Sequence, residues 1–180
     1  MTRALAASRN RELLECARAG IQAAAAGTSF AIETGIPAEP YSGLFVTLWH
    51  RGELRGCMGE IEPLCGDLGR AVARVATSSA ARDPRFPTVV QSELKAIRID
   101  ISLLEEPEPC VLADLDPDVY GVIVGKGGRR GVLLPGVEGV GSAQEQIKIA
   151  CRKAGIGPNE DFTLQRFRIT KIAEGASKRP

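Results

Sequence analysis

The stretch between residues 43 and 59 limits the fold more than any other. Gly43 opens a β-prone run, Leu44-Phe45-Val46-Thr47-Leu48-Trp49-His50, rich in the branched and aromatic side chains that suit a pleated strand. Arg51-Gly52-Glu53 turns the chain, and Leu54-Arg55-Gly56-Cys57-Met58-Gly59 brings it back. The pattern predicts a hairpin. A second hairpin is predicted where short β runs at 120–125 and 131–134 flank Lys126-Gly127-Gly128-Arg129-Arg130. Hairpins pair their strands antiparallel. The expected class is therefore α+β, with a mixed or largely antiparallel sheet flanked by helices.

Helices are expected on either side of these hairpins. Residues 8–26 place Leu13, Cys16, Ala17 and Ile21 near one helical face, and Gly27 stops the run. Gly35, Pro37 and Pro40 make 28–42 a connecting loop. Asp67 or a neighbour caps a second helix over 68–81. Asp83-Pro84-Arg85-Phe86-Pro87 must end it, because proline pushes its predecessor out of the α region. Ile97, Ile99, Ile101 and Leu103 alternate with Arg98, Asp100 and Ser102, predicting a strand over 96–104 with one core face and one wet face. The Pro- and acid-rich 105–118 is expected to be loop. Ser142 and Glu145 match a capping box for a helix ending at Gly155. A last strand is expected over 162–170. The length suits one domain, or one domain with a small appended lobe, and 173–180 is expected to be a flexible tail.

Composition removes several function classes. Lys plus Arg is 23 against 22 for Asp plus Glu, a net charge of +1. A nucleic-acid binder normally needs a larger basic excess to neutralise phosphates. Local basic patches remain at Lys126, Arg129 and Arg130, and at Arg166, Arg168 and Lys171. The five cysteines, 16, 57, 65, 110 and 151, form no C-x-x-C pair, and His50 is the only histidine. This spacing calls for no metal, and no motif calls for a cofactor. Free thiols in a reducing compartment fit better than a disulfide framework. No apolar run reaches membrane-span length. Residues 1–27 lack the core of a signal peptide, and Glu12 and Glu15 do not suit a transit peptide. A cytoplasmic location is expected.

Chemistry concentrates at Leu54-Arg55-Gly56-Cys57-Met58-Gly59. Extended backbone would put Arg55, Cys57 and Gly59 on one face. A cation beside a thiol favours the thiolate. Gly56 and Gly59 let a ligand, or another backbone, approach closely. The competing reading is a buried structural cysteine at a bulge, with Arg55 in a salt bridge. Asp83 and Arg85 offer a similar choice. Arg85 binds an anion such as a carboxylate or phosphate, or the turn is a helix exit that satisfies backbone groups. The glycine-rich tip at 125–131 is neither a phosphate loop nor a dinucleotide fingerprint, and reads as a hairpin tip with solvated charges. Ser78 and Ser79 lie in no nucleophile-elbow motif.

Four segments resemble the AMMECR-one domain family. They are Leu54-Arg55-Gly56-Cys57-Met58-Gly59, Asp83-Pro84-Arg85-Phe86-Pro87, Gly127-Gly128-Arg129-Arg130-Gly131-Val132-Leu133-Leu134-Pro135 and Cys151-Arg152-Lys153-Ala154-Gly155. Their order and spacing fit, and the resemblance covers about residues 8–172. It implies a larger antiparallel-sheet lobe and a smaller lobe, with the first segment near a cleft between them. It carries over no established activity. It does imply company, since such domains are often fused to or encoded beside a Memo-type protein related to ring-cleaving dioxygenases, with a radical-SAM protein as a further companion. Two departures stand out: Met58 where the family has Ile, expected to face away from Cys57, and Ala80-Ala81-Arg82 where many relatives carry an aromatic.

Three functions compete. In the first, Cys57 is nucleophile or acid/base on a small molecule, Arg55 stabilises its thiolate, Arg55 and Arg85 hold an anionic group, and backbone N–H groups from Gly56 to Gly59 stabilise an oxyanion. Gly56, Gly59, Asp83, Arg85, Arg129 and Arg130 make up the ligand-binding set. In the second, the chain is a binding or accessory module that docks on a Memo-type partner through the hairpin at 122–134. The third, RNA or nucleotide binding through the basic clusters, is the weakest, since two Tyr, one Trp and five Phe leave few stacking platforms.

Overall fold

In the computed structural model, residues 3–29, 31–38, 40–61 and 66–175 are described. Cys65 and residues 176–180 of the expected tail lie outside them. The chain is α+β, with two antiparallel sheets and three α-helices among the described residues, and it forms two compact units. One runs as far as Leu103 and resumes at Lys171; the other spans Leu104–Thr170.

In the first unit, α1 (Arg3–Ala26) leads through a loop to β1 (Gly43–His50) and β2 (Glu53–Glu60), then α2 (Leu68–Ala81) and β3 (Ile97–Leu104). The sheet is completed by β8 (Ile169–Ala173) in the order β2-β1-β3-β8, so β2 is an edge strand. The β1–β2 turn is Arg51-Gly52, both at positive φ, as a two-residue hairpin turn requires. Asp67 caps α2 by accepting from Arg70 N at 2.8 Å. Leu13, Cys16, Ala17 and Ile21 of α1 are all buried, as their spacing predicts. They meet Leu44, Val46 and Leu48 of β1, Val72 and Ala76 of α2, and Ile99 and Ile101 of β3 in one core. Burying each such Leu or Ile side chain contributes about 1.5–3 kcal/mol.

The second unit holds β4 (Glu108–Pro109), β5 (Gly121–Lys126), β6 (Arg129–Leu133), α3 (Ala143–Ala154) and β7 (Thr163–Phe167), with sheet order β4-β7-β5-β6. Val122 and Val124 of β5, Leu133 of β6 and Ala150 of α3 form its core with Ile156. Ser142 caps α3 by accepting from Glu145 N. Glu145 reaches Gly141 N, one residue short of the reciprocal bond a full capping box makes. Gly155 ends the helix at φ 65°.

Three elements differ from expectation. The single strand expected over 162–170 divides at Arg168 into β7 and β8, which belong to different sheets. Alternation along a strand cannot reveal which distant strand it pairs with. The 105–118 loop contains the two-residue β4 and a 3₁₀ turn at Leu112–Asp114, too short for periodicity to show. The second face of β3 is wet only at Arg98. Ser102 is buried, and Asp100 accepts from Trp49 Nε1 at 3.2 Å and pairs with Lys171 at 2.8 Å. Glu174 pairs with Arg18 and accepts from Ile99 N.

Candidate functional site

An edge strand exposes backbone N–H and C=O groups that need partners. On β2 the turn after α2 supplies them. Cys57 N donates to Asp83 Oδ2 at 2.8 Å, and Arg85 Nη2 lies 3.5 Å from Cys57 O. The Asp83–Arg85 turn thus stands where a neighbouring strand would pair with Cys57. Asp83 is only 4% exposed. Its carboxylate also accepts from Arg85 N at 3.1 Å, Nε at 2.9 Å and Nη2 at 2.7 Å. The Arg85 guanidinium is the main cause that holds the Asp83 carboxyl down to about 2, against the desolvation that raises it; the Cys57 and Arg85 N–H groups add to the lowering. The Arg85 side chain remains 54% exposed, rests over the Phe86 ring, and has no described partner at Nη1.

Arg55 goes elsewhere. The β1–β2 register shifts between Leu48, which faces Gly56, and Trp49, which faces Leu54, so Arg55 is the extra residue of a β-bulge. A bulge re-aims a side chain and breaks the two-residue alternation. Arg55 Nε and Nη2 bind both oxygens of Glu93 at 2.7 and 3.0 Å, and Nη1 donates to Pro87 O at 2.9 Å. Its side chain is 11% exposed and that of Glu93 is 19%. The same pair is the first cause that lowers the Glu93 carboxyl. All described bonds of Arg55 brace the 83–93 segment, and the cation at Cys57 is Arg85.

The two glycines are filled from within. A Cβ on Gly56 would lie 2.2 Å from Ser79 O of α2, and one on Gly59 would lie 2.2 Å from the Phe45 ring. Gly56 therefore lets a helix backbone reach the strand, and Gly59 seats an aromatic. Met58 pairs with the buried Val46, so it points to the α2 side, away from Cys57. The buried Ser79 hydroxyl accepts from Met58 N at 3.0 Å and lies 2.8 Å from Val46 O.

Cys57 is half-buried and free. Thr47, directly across from it, donates its hydroxyl to Cys57 Sγ at 3.4 Å. The Arg85 guanidinium is raised chiefly by its hydrogen bond to Asp83. Burial, then Glu12 and other carboxylates, pushes the Cys16 thiol up to about 11. Burial is also the main cause that raises Cys110 and the cause that raises Cys151.

Sequence reasoning missed Thr47 and Glu93. Hairpin register would have found Thr47, but an unbulged hairpin would set it against Gly56. Glu93 lies 38 residues from Arg55 with no pattern linking them. Arg129 and Arg130 lie in the second unit. Arg129 binds Glu160 at 2.8 Å and the Gly155 carbonyl, and Lys126 pairs with Glu160 at 3.3 Å. Arg130 pairs with Gly125 across the hairpin.

A half-exposed thiol on an edge strand, beside a turn that buries Asp83 and exposes Arg85, lies in an α+β frame of two sheets. The family model AMMECR1 matches residues 12–172, and the chain belongs to that family. A protein of Thermotoga maritima is 43% identical over 144 residues, covering 77% of this chain and 82% of its own. One from Clostridium acetobutylicum is 42% identical over 132 residues, covering 73% of this chain; the chain spans only 28% of that relative's length. The crystal structure of an uncharacterized protein from Pyrococcus horikoshii matches with a TM-score of 0.79 at 30% identity, covering 93% of this chain and 92% of that one. Among the described residues no helix is long and apolar enough to cross a membrane.

Proposed function

We propose that the protein holds a small anionic molecule at the Asp83–Arg85 turn and presents the Cys57 thiol to it. One observation carries this reading. Arg85 reaches the Cys57 carbonyl while more than half exposed, with its Nη1 uncommitted. A guanidinium in that state suits a carboxylate or phosphate. Asp83 orients it, and Arg55 with Glu93 fixes the far end of the turn. The thiol supplies a nucleophile or a proton donor and acceptor. Such chemistry suits a reducing cytoplasm. It also suits one step of a small-molecule pathway shared with Memo-type and radical-SAM companions, as the family resemblance implies.

The accessory-module reading has less behind it. It needs an open basic tip at 122–134, yet Arg129 and Lys126 both close on Glu160. Charge reversal at Arg129 and Arg130 that abolished co-purification with a Memo-type partner would favour it. Stacking of nucleic-acid bases finds little support, because Arg166 and Arg168 already lie over Tyr120, at 4.4 and 4.7 Å from its ring centre.

Cysteine alkylation at neutral pH, resolved by peptide mapping, tests the proposal. Cys57 is expected to react ahead of Cys16, Cys110 and Cys151, with Cys65 read separately. A small carboxylate or phosphate ester that occupies Arg85 should slow it. A Cys57 that stays inert until the protein unfolds would sink the reading.

A further inference from the structure

The geometry points to Thr47 as the positioning residue of the Cys57 sulfur. This inference rests on the reading of Cys57 as the reactive group and adds what holds the sulfur in place. Thr47 sits on the central side of the hairpin, directly opposite Cys57. Its hydroxyl has one described partner, the sulfur, at 3.4 Å. A β-branched residue in a strand has few χ1 choices, so the oxygen is fixed by backbone and packing. Sulfur accepts a hydrogen bond far better as thiolate than as thiol, so a fixed donor favours the charged form.

The bulge makes this pairing. Without the extra residue at Arg55, Thr47 would face Gly56 and have no sulfur within reach. The displacement that sends Arg55 to Glu93 also brings Cys57 opposite Thr47. One backbone irregularity thus serves both contacts. It also explains a division of labour: Thr47 engages the sulfur from β1, and Asp83 with Arg85 engages the Cys57 backbone from the opposite side.

Other titratable and charged groups sit on the elements around the hairpin, and a pH test must separate Thr47 from them. Arg85 and Asp83 lie on the turn, Arg55 and Glu93 beyond the bulge, and His50 at the end of β1. Glu60 of β2 is paired with Arg74 of α2, and Asp100 of β3 with Lys171 of β8. Substitution of Thr47 by Val removes the hydroxyl and keeps the shape, leaving each of these charges in place.

The experiment compares alkylation of Cys57 across pH 6 to 9 in the wild type, Thr47→Val and Thr47→Ser. Loss of one hydrogen bond predicts that Thr47→Val slows Cys57 about threefold to fivefold at pH 7. The rate–pH curve should move to higher pH, and Thr47→Ser should restore most of the rate. Cys16 serves as the fold control, because its buried thiol stays slow while the core is intact. If Thr47→Val lets Cys16 react, Thr47→Ser alone decides, and a Ser variant that is folded but slow overturns the inference. A fast wild-type Cys57 that Thr47→Val leaves unchanged overturns it as well, with the reading of Cys57 intact. A wild-type Cys57 that is inert removes that reading and this inference together.

Discussion

The two hairpins of this chain are built alike and put to different use. Each turns through two residues, Arg51-Gly52 in one and Gly127-Gly128 in the other. Each lies on a helix with a side-chain cap, Asp67 or Ser142. Each returning strand has a glycine where the helix backbone touches it: a Cβ on Gly56 would lie 2.2 Å from Ser79 O, and one on Gly131 would lie 2.0 Å from Ala150 O. The charges then part ways. At the first hairpin, Arg55 and Asp83 are drawn inside, each against an opposite charge, beside a half-buried thiol. At the second, Lys126 and Arg129 meet Glu160 in solvent. The scaffold is shared; what differs is that Asp83 and the Arg55–Glu93 pair are largely buried, whereas the charges at the second tip are not. Burial matters because an ion pair loses little to water once water is excluded.

The shared part is the easiest to break. Alanine at Gly56 or Gly131 puts a methyl against a helix carbonyl, and neither backbone can yield without moving its layer. Each variant should lose about 3 kcal/mol in urea denaturation, the upper end for overpacking. Alkylation sharpens the comparison: Gly56→Ala should alter the rate at Cys57 and Gly131→Ala should not. Equal tolerance of both alanines would mean that the strands slide freely over the helices.

Asp83 comes next. Its carboxyl is held to about 2 from an ordinary 3.8, chiefly by Arg85. A depressed carboxyl stabilises the fold fully above its unfolded value. That contribution is lost as pH falls through the folded value, here between about pH 4 and pH 2. The shift corresponds to about 2 kcal/mol. Asp83→Asn should cost about this much at pH 7, since the amide sets an NH₂ group against Arg85. It should also flatten the acid limb of the stability curve, leaving the part due to Glu93, Asp67 and Glu160, whose carboxyls are lowered too. An unchanged acid limb would show that Asp83 is not what holds the turn to β2.

What the sequence revealed, it revealed through local rules. Strand propensity and turn residues gave both hairpins and with them the α+β class. Asp67, Ser142 and Gly155 marked helix ends because capping depends on a few adjacent residues. Cys57, Asp83 and Arg85 were each visible as reactive types and were grouped in one candidate site, but the contacts that join them were not legible. They depend on α2 folding back over β2, which brings residue 83 to residue 57. The bulge was hidden for a related reason. Alternation predicts Arg55 beside Cys57 on one face, and one inserted residue sends Arg55 to Glu93 instead. Thr47 became a partner of the sulfur by that same step. Nonlocal pairing also concealed the break at Arg168, where an unbroken strand pattern passes from one sheet to the other.

The smallest effect is expected at the second hairpin, and it tests whether burial is what distinguishes the two. Glu160 accepts from Arg129, Lys126 and Gly157 N, and its carboxyl is held to about 2, with Arg129 the largest cause. These bonds persist at every pH from 4 to 8, yet they are formed in water, which screens the charges and solvates them when the pair parts. Glu160→Gln should therefore leave the melting temperature within about 1 °C of wild type. The change should appear locally, as faster hydrogen exchange at the amides of the 126–129 tip, and added salt should produce the same change in the wild-type chain. A loss as large as that of Asp83→Asn would show that exposure does not set the worth of these pairs. The ion pairs of the two hairpins would then have to be ranked by how many backbone groups each one ties down.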